Sequence, residues 1–282
     1  MKKTLISILS TLLLLIGCQT KPDKTKKNLI NAGLFIERDI SKKILEEPLI
    51  QVTKKEVPVL CYHRIRNILP RDGANMKTYS VSPAVFAEQI KALSDNGYQT
   101  ILPEQLFEYL TNGKPLPAKP VIITFDDTRE EQYRLGAVEM NKYGFKGVFF
   151  IMTVAINKPG YMSESQIKKL SDSGHTIGAH TWDHHMVTKY TAEDWNTQLV
   201  KPKKQLENIT GKKVDYFAYP FGLWNTNAIT EIKNQGYKLA FSLSDKSDLK
   251  EPNYTVRRII VPGSWSAPRM IKAMETSFNK QH

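Results

Sequence analysis

Cysteine is scarce in this chain of 282 residues, which contains only two, Cys18 and Cys61. Two thiols cannot build a disulfide framework or a site with four thiolate ligands, so neither disulfides nor structural zinc can hold the fold together. Low-complexity segments and internal repeats of roughly 20 to 50 residues are also lacking. With 41% apolar and 24% charged residues, the composition is that of a globular protein and not of a disordered, collagenous or coiled-coil chain.

Acidic residues are outnumbered, since 40 basic residues face 28 acidic ones and the net charge is +12. This excess favours an anionic neighbour such as a lipid surface, a wall polymer or nucleic acid. Nucleic acid is the weakest of these interpretations, because the lysines are spread along the chain and do not form one basic stripe. We therefore predict no nucleic-acid partner and attribute the basic charge to a surface near anionic lipid.

The N-terminus predicts an export signal. Met1-Lys2-Lys3 precedes the apolar run 5–16, which is too short to cross a bilayer as a mature helix. The run ends in Leu15-Ile16-Gly17-Cys18, which resembles the bacterial lipoprotein box, where the cysteine is lipidated. We expect a signal peptide over 1–17, lipidation of Cys18, a Lys-rich tether over 18–56, and a membrane-anchored lipoprotein of the cell envelope. A plain signal peptide and a retained anchor are the alternatives.

Residues 57–282 show the pattern of an α/β fold. Short β-branched or aromatic runs alternate with segments of helical period, which is typical of a parallel sheet with crossover helices. This body is slightly shorter than the roughly 250 residues of a complete eight-stranded α/β barrel. We therefore predict one domain over 57–282, a distorted (β/α) barrel with about seven strands. The runs are 57–62, 99–102, 121–125, 147–153, 176–179, 216–218, 238–242 and 255–260.

Chemically active side chains follow several of these runs. In parallel α/β folds the ligand site lies at the carboxyl ends of the strands, which is where His63, Asp126 and Asp127 fall. Two adjacent carboxylates repel each other and need a cation or a shared proton. One carboxylate could bind a metal while the other accepts a proton; the alternative is that the pair caps the next helix.

Three of the six histidines lie within the segment 180–185, directly after a predicted strand. This clustering favours a metal site over isolated core histidines. His180 and His184 are one helical turn apart, whereas pairing His180 with His185 requires a non-helical loop. Two imidazoles and the carboxylate of Asp127 suit catalytic zinc and also non-haem iron, but the adjacent proton acceptor Asp126 disfavours an iron-dependent oxygenase.

The ordered pair of segments Thr124-Phe125-Asp126-Asp127 and His180-Thr181-Trp182-Asp183-His184 resembles the first two motifs of the polysaccharide deacetylases, the NodB-homology group or carbohydrate esterase family 4. The resemblance implies that Asp126 is the catalytic base and that Asp127, His180 and His184 bind a divalent metal, usually zinc. His185 is an alternate ligand, because the biofilm-polysaccharide branch spaces its second histidine one residue later.

The remaining family motifs are altered. Residues 216–222 resemble the third motif, but Ala218 stands where that motif has arginine, so the sequence does not say what orients Asp126. The Phe221 amide is the implied oxyanion donor. The late Leu-x-His motif, which supplies the general acid, is missing. Val59-Leu60-Cys61-Tyr62-His63 resembles it moved to the front, as in the circularly permuted poly-β-1,6-N-acetylglucosamine deacetylases, which implies His63 as the acid. The Arg257-Arg258-Ile259 segment also looks like that branch.

The resemblance implies a metal-dependent N-deacetylase that acts on N-acetylglucosamine units of an extracellular or cell-wall polysaccharide, foremost poly-β-1,6-N-acetylglucosamine. Tyr219, Trp182 and Trp224 are expected at the oxyanion or substrate site. Cys61 is expected to be a small buried core residue and not a nucleophile. Other open substrates are peptidoglycan, chitin oligomers and acetylated xylan. The alternative of another class is a non-catalytic glycan-binding lipoprotein.

Overall fold

The computed structural model describes residues 55–278. The predicted signal peptide, Cys18 and nearly all of the tether lie outside the described residues. The strands are β1 Val59–Tyr62, β2 Arg64–Ile65, β3 Ser80–Val81, β4 Gln99–Thr100, β5 Pro120–Phe125, β6 Val148–Ile151, β7 Thr176–Ala179, β8 Tyr216–Ala218, β9 Leu239–Ser242, β10 Val256–Arg257 and β11 Ile259–Ile260. The α-helices are α1 Ala74–Thr78, α2 Pro83–Asp95, α3 Pro103–Asn112, α4 Val138–Asn141, α5 Glu164–Asp172, α6 Lys201–Thr210, α7 Thr226–Asn234 and α8 Ala267–Phe278.

The strands form a nearly closed parallel barrel. Their order is β10-β9-β8-β7-β6-β5-β1-β11, and β4 pairs with β5 beside this path. Only Arg258 separates β10 from β11, so the stretch 256–260 pairs with β9 through its first half and with β1 through its second. Counted as one strand, this stretch gives the path seven strands, and β4 is an eighth beside it. The predicted distorted (β/α) barrel is confirmed, and each of the eight predicted runs contains a strand.

Successive side chains of each barrel strand pack into different cores. In β6, Val148 and Phe150 belong to one buried cluster, while Phe149 and Ile151 belong to another. Because strand side chains alternate between faces, the first cluster fills the barrel and the second packs between barrel and helices. The inward row of β5 contains Ile122, and two more steps of the alternation lead to Asp126. The barrel interior therefore continues into the ends of the strands that carry the predicted site.

Helix starts follow the local signals in the sequence. Ser82 precedes α2, and its Oγ accepts a hydrogen bond from the amide of Val85 at 3.3 Å, with Pro83 at the first helical position. Ser163 and Gln166 form a reciprocal capping box at the start of α5. Across residues 55–278, none of the helices combines the length and the apolar character that a bilayer crossing needs.

His175 is a buried histidine remote from the predicted chemistry, and it should make the fold sensitive to acid. Its Nδ1 accepts a hydrogen bond from the amide of Gly147 at 3.0 Å, and its ring lies edge-on to Phe149. Burial, aided by the charge of Lys146, lowers the pKa of His175 to about 4. The unfolded chain therefore binds this proton between pH 6.5 and 4 while the folded chain does not, and stability falls as the pH falls.

Acidification from pH 6.5 to 4 should lower the free energy of unfolding less in His175→Asn than in the wild type. The difference between the two losses should reach up to about 3 kcal/mol. The asparagine retains an acceptor for the Gly147 amide but cannot take up the proton. Urea unfolding of both proteins at pH 7 and pH 4.5 measures the difference. His63 and His180 are present in both proteins and contribute equally to the loss of stability in acid. An equal loss in the two proteins would therefore show that His175 is not a source of the acid sensitivity.

Candidate active site

Strained backbone marks the loops at the carboxyl ends of the strands. Asp127, Thr128, Thr181, His184 and Phe221 adopt left-handed conformations with φ between 59° and 75°. Asn157 is the sixth non-glycine residue of this kind within residues 55–278. Such conformations cost about 1–3 kcal/mol each and cluster where function over-determines the geometry. The loops after β5, β7 and β8 therefore meet at one strained site.

Asp127, His180 and His184 form a compact group of potential metal ligands. Asp127 Oδ1 lies 3.7 Å from His180 Nε2 and 3.6 Å from His184 Nε2. Asp127 Oδ1 and His180 Nε2 are buried and are among the few described side-chain atoms without a hydrogen-bond partner. The group offers two imidazole nitrogens and one carboxylate oxygen that lie close together, and two of these three atoms have no hydrogen-bond partner. Such a set fits a divalent cation such as zinc.

His180 is held in the tautomer that a metal ligand requires. Its Nδ1 donates a hydrogen bond to the carbonyl of Ala218 at 2.8 Å, which leaves the lone pair of Nε2 directed at Asp127. Burial lowers the pKa of His180 to about 4 despite the opposing charge of Asp126, so the ring is neutral at pH 7. The loop carrying His184 is fixed by a 3.0 Å hydrogen bond from its amide to Thr181 Oγ1.

His185, the alternate ligand, lies outside this group. Its side chain is 67% exposed, and its Nδ1 is 3.6 Å from Asp183 Oδ1. The left-handed conformation of His184 turns the chain so that consecutive histidines point to different places. Of the two histidines left open by the sequence, the structure brings His184 to Asp127 and His180.

Asp126 is buried in an ion pair. Its Oδ1 accepts from Arg258 Nη1 at 2.7 Å and its Oδ2 accepts from Nη2 at 2.8 Å. Burial alone would raise the pKa of Asp126, but the Arg258 guanidinium, with a contribution from His180, holds it well below its usual range. The carboxylate is therefore ionised at neutral pH and fixed in one orientation beside the metal-ligand group, with Oδ2 3.8 Å from His180 Nε2.

Arg258 was noted in the sequence only as part of the Arg257-Arg258-Ile259 segment, and its contact with Asp126 was not predicted. It stands between β10 and β11, is 2% exposed, and also donates to Thr124 Oγ1 at 3.1 Å. Its guanidinium carbon lies 5.3 Å from the centre of the Phe150 ring inside the barrel. The last strand thus supplies the arginine that the third motif lacks, while Ala218 contributes its backbone carbonyl to His180. A charged residue within an apolar closing strand was the available signal.

His63 and Cys61 lie beside Asp126. Cys61 Sγ is 3.6 Å from Asp126 Oδ2 and 3.9 Å from His63 Nδ1. Gln132 Nε2 donates to the carbonyls of His63, at 2.6 Å, and Asp126, which ties the ends of β1 and β5 together. Burial lowers the pKa of His63 against the opposing charge of Asp126, so the resting imidazole is neutral at neutral pH.

The predicted aromatic contacts divide into exposed and buried groups. Trp182 is 41% exposed and Phe221 is 55% exposed, and the Phe221 ring centre is 4.5 Å from that of His184. The prediction that Tyr219 lies at the oxyanion or substrate site is wrong. Its side chain is fully buried, its hydroxyl donates to the carbonyl of Tyr254 at 2.9 Å, and it cannot contact substrate. Trp224 is partly buried against the outer core, and its predicted contact stays a prediction.

Comparison with known proteins agrees with this architecture. Residues 113–240 match the family model described as Polysaccharide deacetylase. YxkH of Bacillus subtilis (strain 168) is 27% identical over 234 residues, which cover 77% of this chain and 81% of that protein. A poly-beta-1,6-N-acetyl-D-glucosamine N-deacetylase of Staphylococcus aureus (strain MRSA252) is 28% identical over 241 residues, which cover 77% of this chain and 83% of that protein.

Among solved structures, the Streptococcus pyogenes deacetylase PplD in complex with acetate has the same fold. It superimposes with a TM-score of 0.74 and 23% identity, over 79% of this chain and 100% of PplD. The shared barrel, the family match and the relatives agree with the resemblance found in the sequence motifs. Residues 113–240 therefore carry a polysaccharide deacetylase domain, set in a barrel of the NodB type, and such domains belong to hydrolases of carbon–nitrogen bonds in amides.

Proposed function

We propose that this protein is a metal-dependent N-deacetylase that removes acetyl groups from N-acetylglucosamine units, with poly-β-1,6-N-acetylglucosamine as its main substrate. The observation that carries the catalytic proposal is the ionised Asp126–Arg258 pair beside the unpartnered ligand atoms of Asp127 and His180. The substrate proposal is supported by the relative named as a deacetylase of that polymer.

Asp127, His180 and His184 would hold the metal, which we take to be zinc. When bound, zinc supplies Lewis-acid polarisation of the acetamide carbonyl and lowers the pKa of a bound water to about 7. The protein contributes the fixed His180 tautomer and the strained His184 loop, which preorganise the ligand atoms.

The chain's own residues account for the proton transfers. Asp126 accepts a proton from the attacking water, whose oxygen bonds to the carbonyl carbon. The Phe221 amide donates to the developing oxyanion. His63 gives a proton to the amine nitrogen as the carbon–nitrogen bond breaks, and acetate and a free amine result. The resting His63 is neutral and must first gain this proton; Asp126 offers an atom within 4.8 Å, which gives the proton a short path.

Acetate release tests the proposal. The substrates are β-1,6-linked N-acetylglucosamine oligomers, β-1,4-linked oligomers and peptidoglycan fragments, each with and without chelator. We expect the fastest release from the β-1,6-linked oligomers, loss on chelation, and recovery on adding zinc. Release that is unaffected by complete metal removal would contradict metal dependence, and a preference for another polymer would contradict the substrate. If acetate were released from none of these substrates, the result would favour the alternative of a non-catalytic glycan-binding module.

The two candidate histidines should differ in metal binding. We expect His184→Ala to weaken zinc affinity by more than about 100-fold, because loss of outer-shell partners alone costs about 10–100-fold. His185→Ala should bind zinc like the wild type, since His185 lies outside the ligand group. Competition with a fluorescent zinc chelator measures both. The reverse order of effects would assign the ligand to His185.

We also propose that Trp182 and Phe221 stack on sugar rings at the mouth of the site, because both expose aromatic surface there. Trp182→Ala should raise KM several-fold, by roughly the loss of one aromatic contact, with a smaller change in kcat. Acetate release as a function of oligomer concentration gives both constants. A fall in kcat at unchanged KM would place Trp182 in a different role.

Export and lipidation at Cys18 complete the proposal, with anchorage to a membrane by the lipid and with no nucleic-acid partner. The support is the Leu-Ile-Gly-Cys segment that ends the apolar run. The wild type should incorporate labelled fatty acid and sediment with membranes, and Cys18→Ser should do neither. Equal sedimentation of the two proteins would contradict the lipid anchor.

A further inference from the structure

The Cys61 thiol occupies a place inside the barrel that the proposed mechanism does not use. Cys61 is fully buried on β1, and its Cα pairs in register with Thr124 of β5. From this position Sγ reaches Asp126 Oδ2 at 3.6 Å. Val59, two residues earlier, packs in the interior cluster, so Cys61 continues the same inward row.

The group formed by Cys61, His63 and Asp126 could in principle hold a second cation, because its potential ligand atoms lie within 4.8 Å of one another. Its chemistry argues otherwise. Both Asp126 oxygens already accept from the Arg258 cation, and Cys61 Sγ lies within reach of Asp126 Oδ2 and His63 Nδ1. A second cation would lie next to a buried guanidinium. The group is therefore a hydrogen-bonded network beside the metal-ligand group.

The thiol has the protonation state that a donor needs. Burial raises the pKa of Cys61 well above its ordinary value, against the lowering effect of Arg258. The sulfur therefore keeps its hydrogen, and an ionised carboxylate oxygen lies within its reach. A weak donor orients a carboxylate while withdrawing little of its negative charge.

We propose that Cys61 is a positioning residue for Asp126, whose S–H donates to Oδ2 and, with Arg258, fixes the rotation of the carboxylate. This inference rests on the proposed function, in which Asp126 is the proton acceptor. Oδ2 also faces His180 Nε2 at 3.8 Å, so loss of the thiol would remove one of the two groups that hold the carboxylate away from the metal-ligand group. The thiol thereby keeps Asp126 in the role of a base and out of the role of a ligand.

Steady-state kinetics of three variants test this assignment on the full chain. Cys61→Ala should lower kcat about 5- to 10-fold with KM within about twofold, because one weak hydrogen bond to a charged group is lost. Cys61→Ser restores a donor and should recover most of the wild-type kcat. Val59→Ala makes a larger cavity in the same inward row and should lower Tm while leaving kcat unchanged. A purely structural role for Cys61 would move Tm alone, as in Val59→Ala.

Infrared spectroscopy provides a second measurement that does not depend on activity. The difference spectrum of wild type minus Cys61→Ser isolates the S–H stretching band of Cys61. In Asp126→Asn this band should move to higher frequency, since a neutral amide oxygen is a weaker acceptor than a carboxylate. Bound zinc should remain at one equivalent in every variant.

The two measurements separate the possible failures. An active wild type with unchanged kcat in Cys61→Ala would overturn the positioning role, and so would a Cys61→Ser variant as slow as Cys61→Ala. If the S–H band does not shift in Asp126→Asn, the hydrogen bond from Cys61 to Asp126 does not exist. Lack of activity in the wild type on every glycan would refute the proposed function, while a shifted band would still support the hydrogen bond. If the wild type bound a second equivalent of zinc and Cys61→Ser did not, Cys61 would be a metal ligand and not a positioning residue.

Discussion

Asp126→Asn is expected to lower the rate of deacetylation by about 10²- to 10⁴-fold while zinc remains bound. The amide cannot serve as a base, yet it has nearly the shape of the carboxylate, and its oxygen can still accept a hydrogen bond from Arg258. The metal-ligand group consists of Asp127, His180 and His184 and is not altered. Acetate release and zinc content measured on the same preparation check both halves of the expectation.

Asp172→Asn is the matched control, since this carboxylate lies at the end of α5 in an exposed pair with Lys168. It should retain wild-type activity, because exposed pairs contribute little and Asp172 touches none of the site residues. Near-full deacetylation by Asp126→Asn with zinc bound would remove Asp126 from the role of base and favour His63, the neighbouring neutral imidazole.

Arg258→Met is expected to destabilise the fold by about 3–5 kcal/mol, because it leaves the carboxylate of Asp126 buried without its counter-charge. Methionine retains much of the apolar stem of arginine, so the loss reports on the charge more than on packing. Activity should fall steeply as well, since no guanidinium then fixes the rotation of Asp126. Urea unfolding and acetate release measure the two effects.

The adjacent arginine provides the control. Arg257 pairs with Glu56, a partly exposed residue, on the other side of the strand. Arg257→Met should cost less stability and leave kcat near the wild-type value. The double variant Asp126→Asn/Arg258→Met should be more stable than Arg258→Met alone, because it removes both buried charges together. A double variant that loses the sum of the single losses would show that the ion pair is not the source of the effect.

The strands of this barrel could be predicted because each depends on a local pattern of apolar residues. The short runs from 57–62 to 255–260 are each long enough to show β-branched and aromatic enrichment. The pair β2 and β3 was not predicted, because Arg64-Ile65 and Ser80-Val81 lie outside any longer run of β-branched or aromatic residues. The residues Asp127 and His180 were found from a general rule, because parallel strands bring their carboxyl ends to one edge of the sheet.

The missing parts of the site depend on contacts that no local pattern contains. Arg258 meets Asp126 across 132 positions of sequence, and only the closure of the barrel brings them together. Tyr219 was placed at the site because it belongs to the segment that resembles the third family motif. The side-chain alternation of β8 instead assigns Phe217 and Tyr219 to the core between barrel and helices, and Ala218 to the barrel interior. The choice between His184 and His185 depended on one left-handed residue.

The stretch 256–260 has a consequence for the order in which the molecule assembles. It joins β9 to β1, so it ties the last barrel strand of the described residues to the first. Contacts of such high sequence separation form late, because their loop-closure entropy must be overcome before they contribute. Before the barrel closes, Asp126 lacks its counter-charge. The stretch that closes the barrel also carries Arg258, so closure brings the two residues together. We therefore expect the neutralisation of Asp126 to accompany the closure of the barrel.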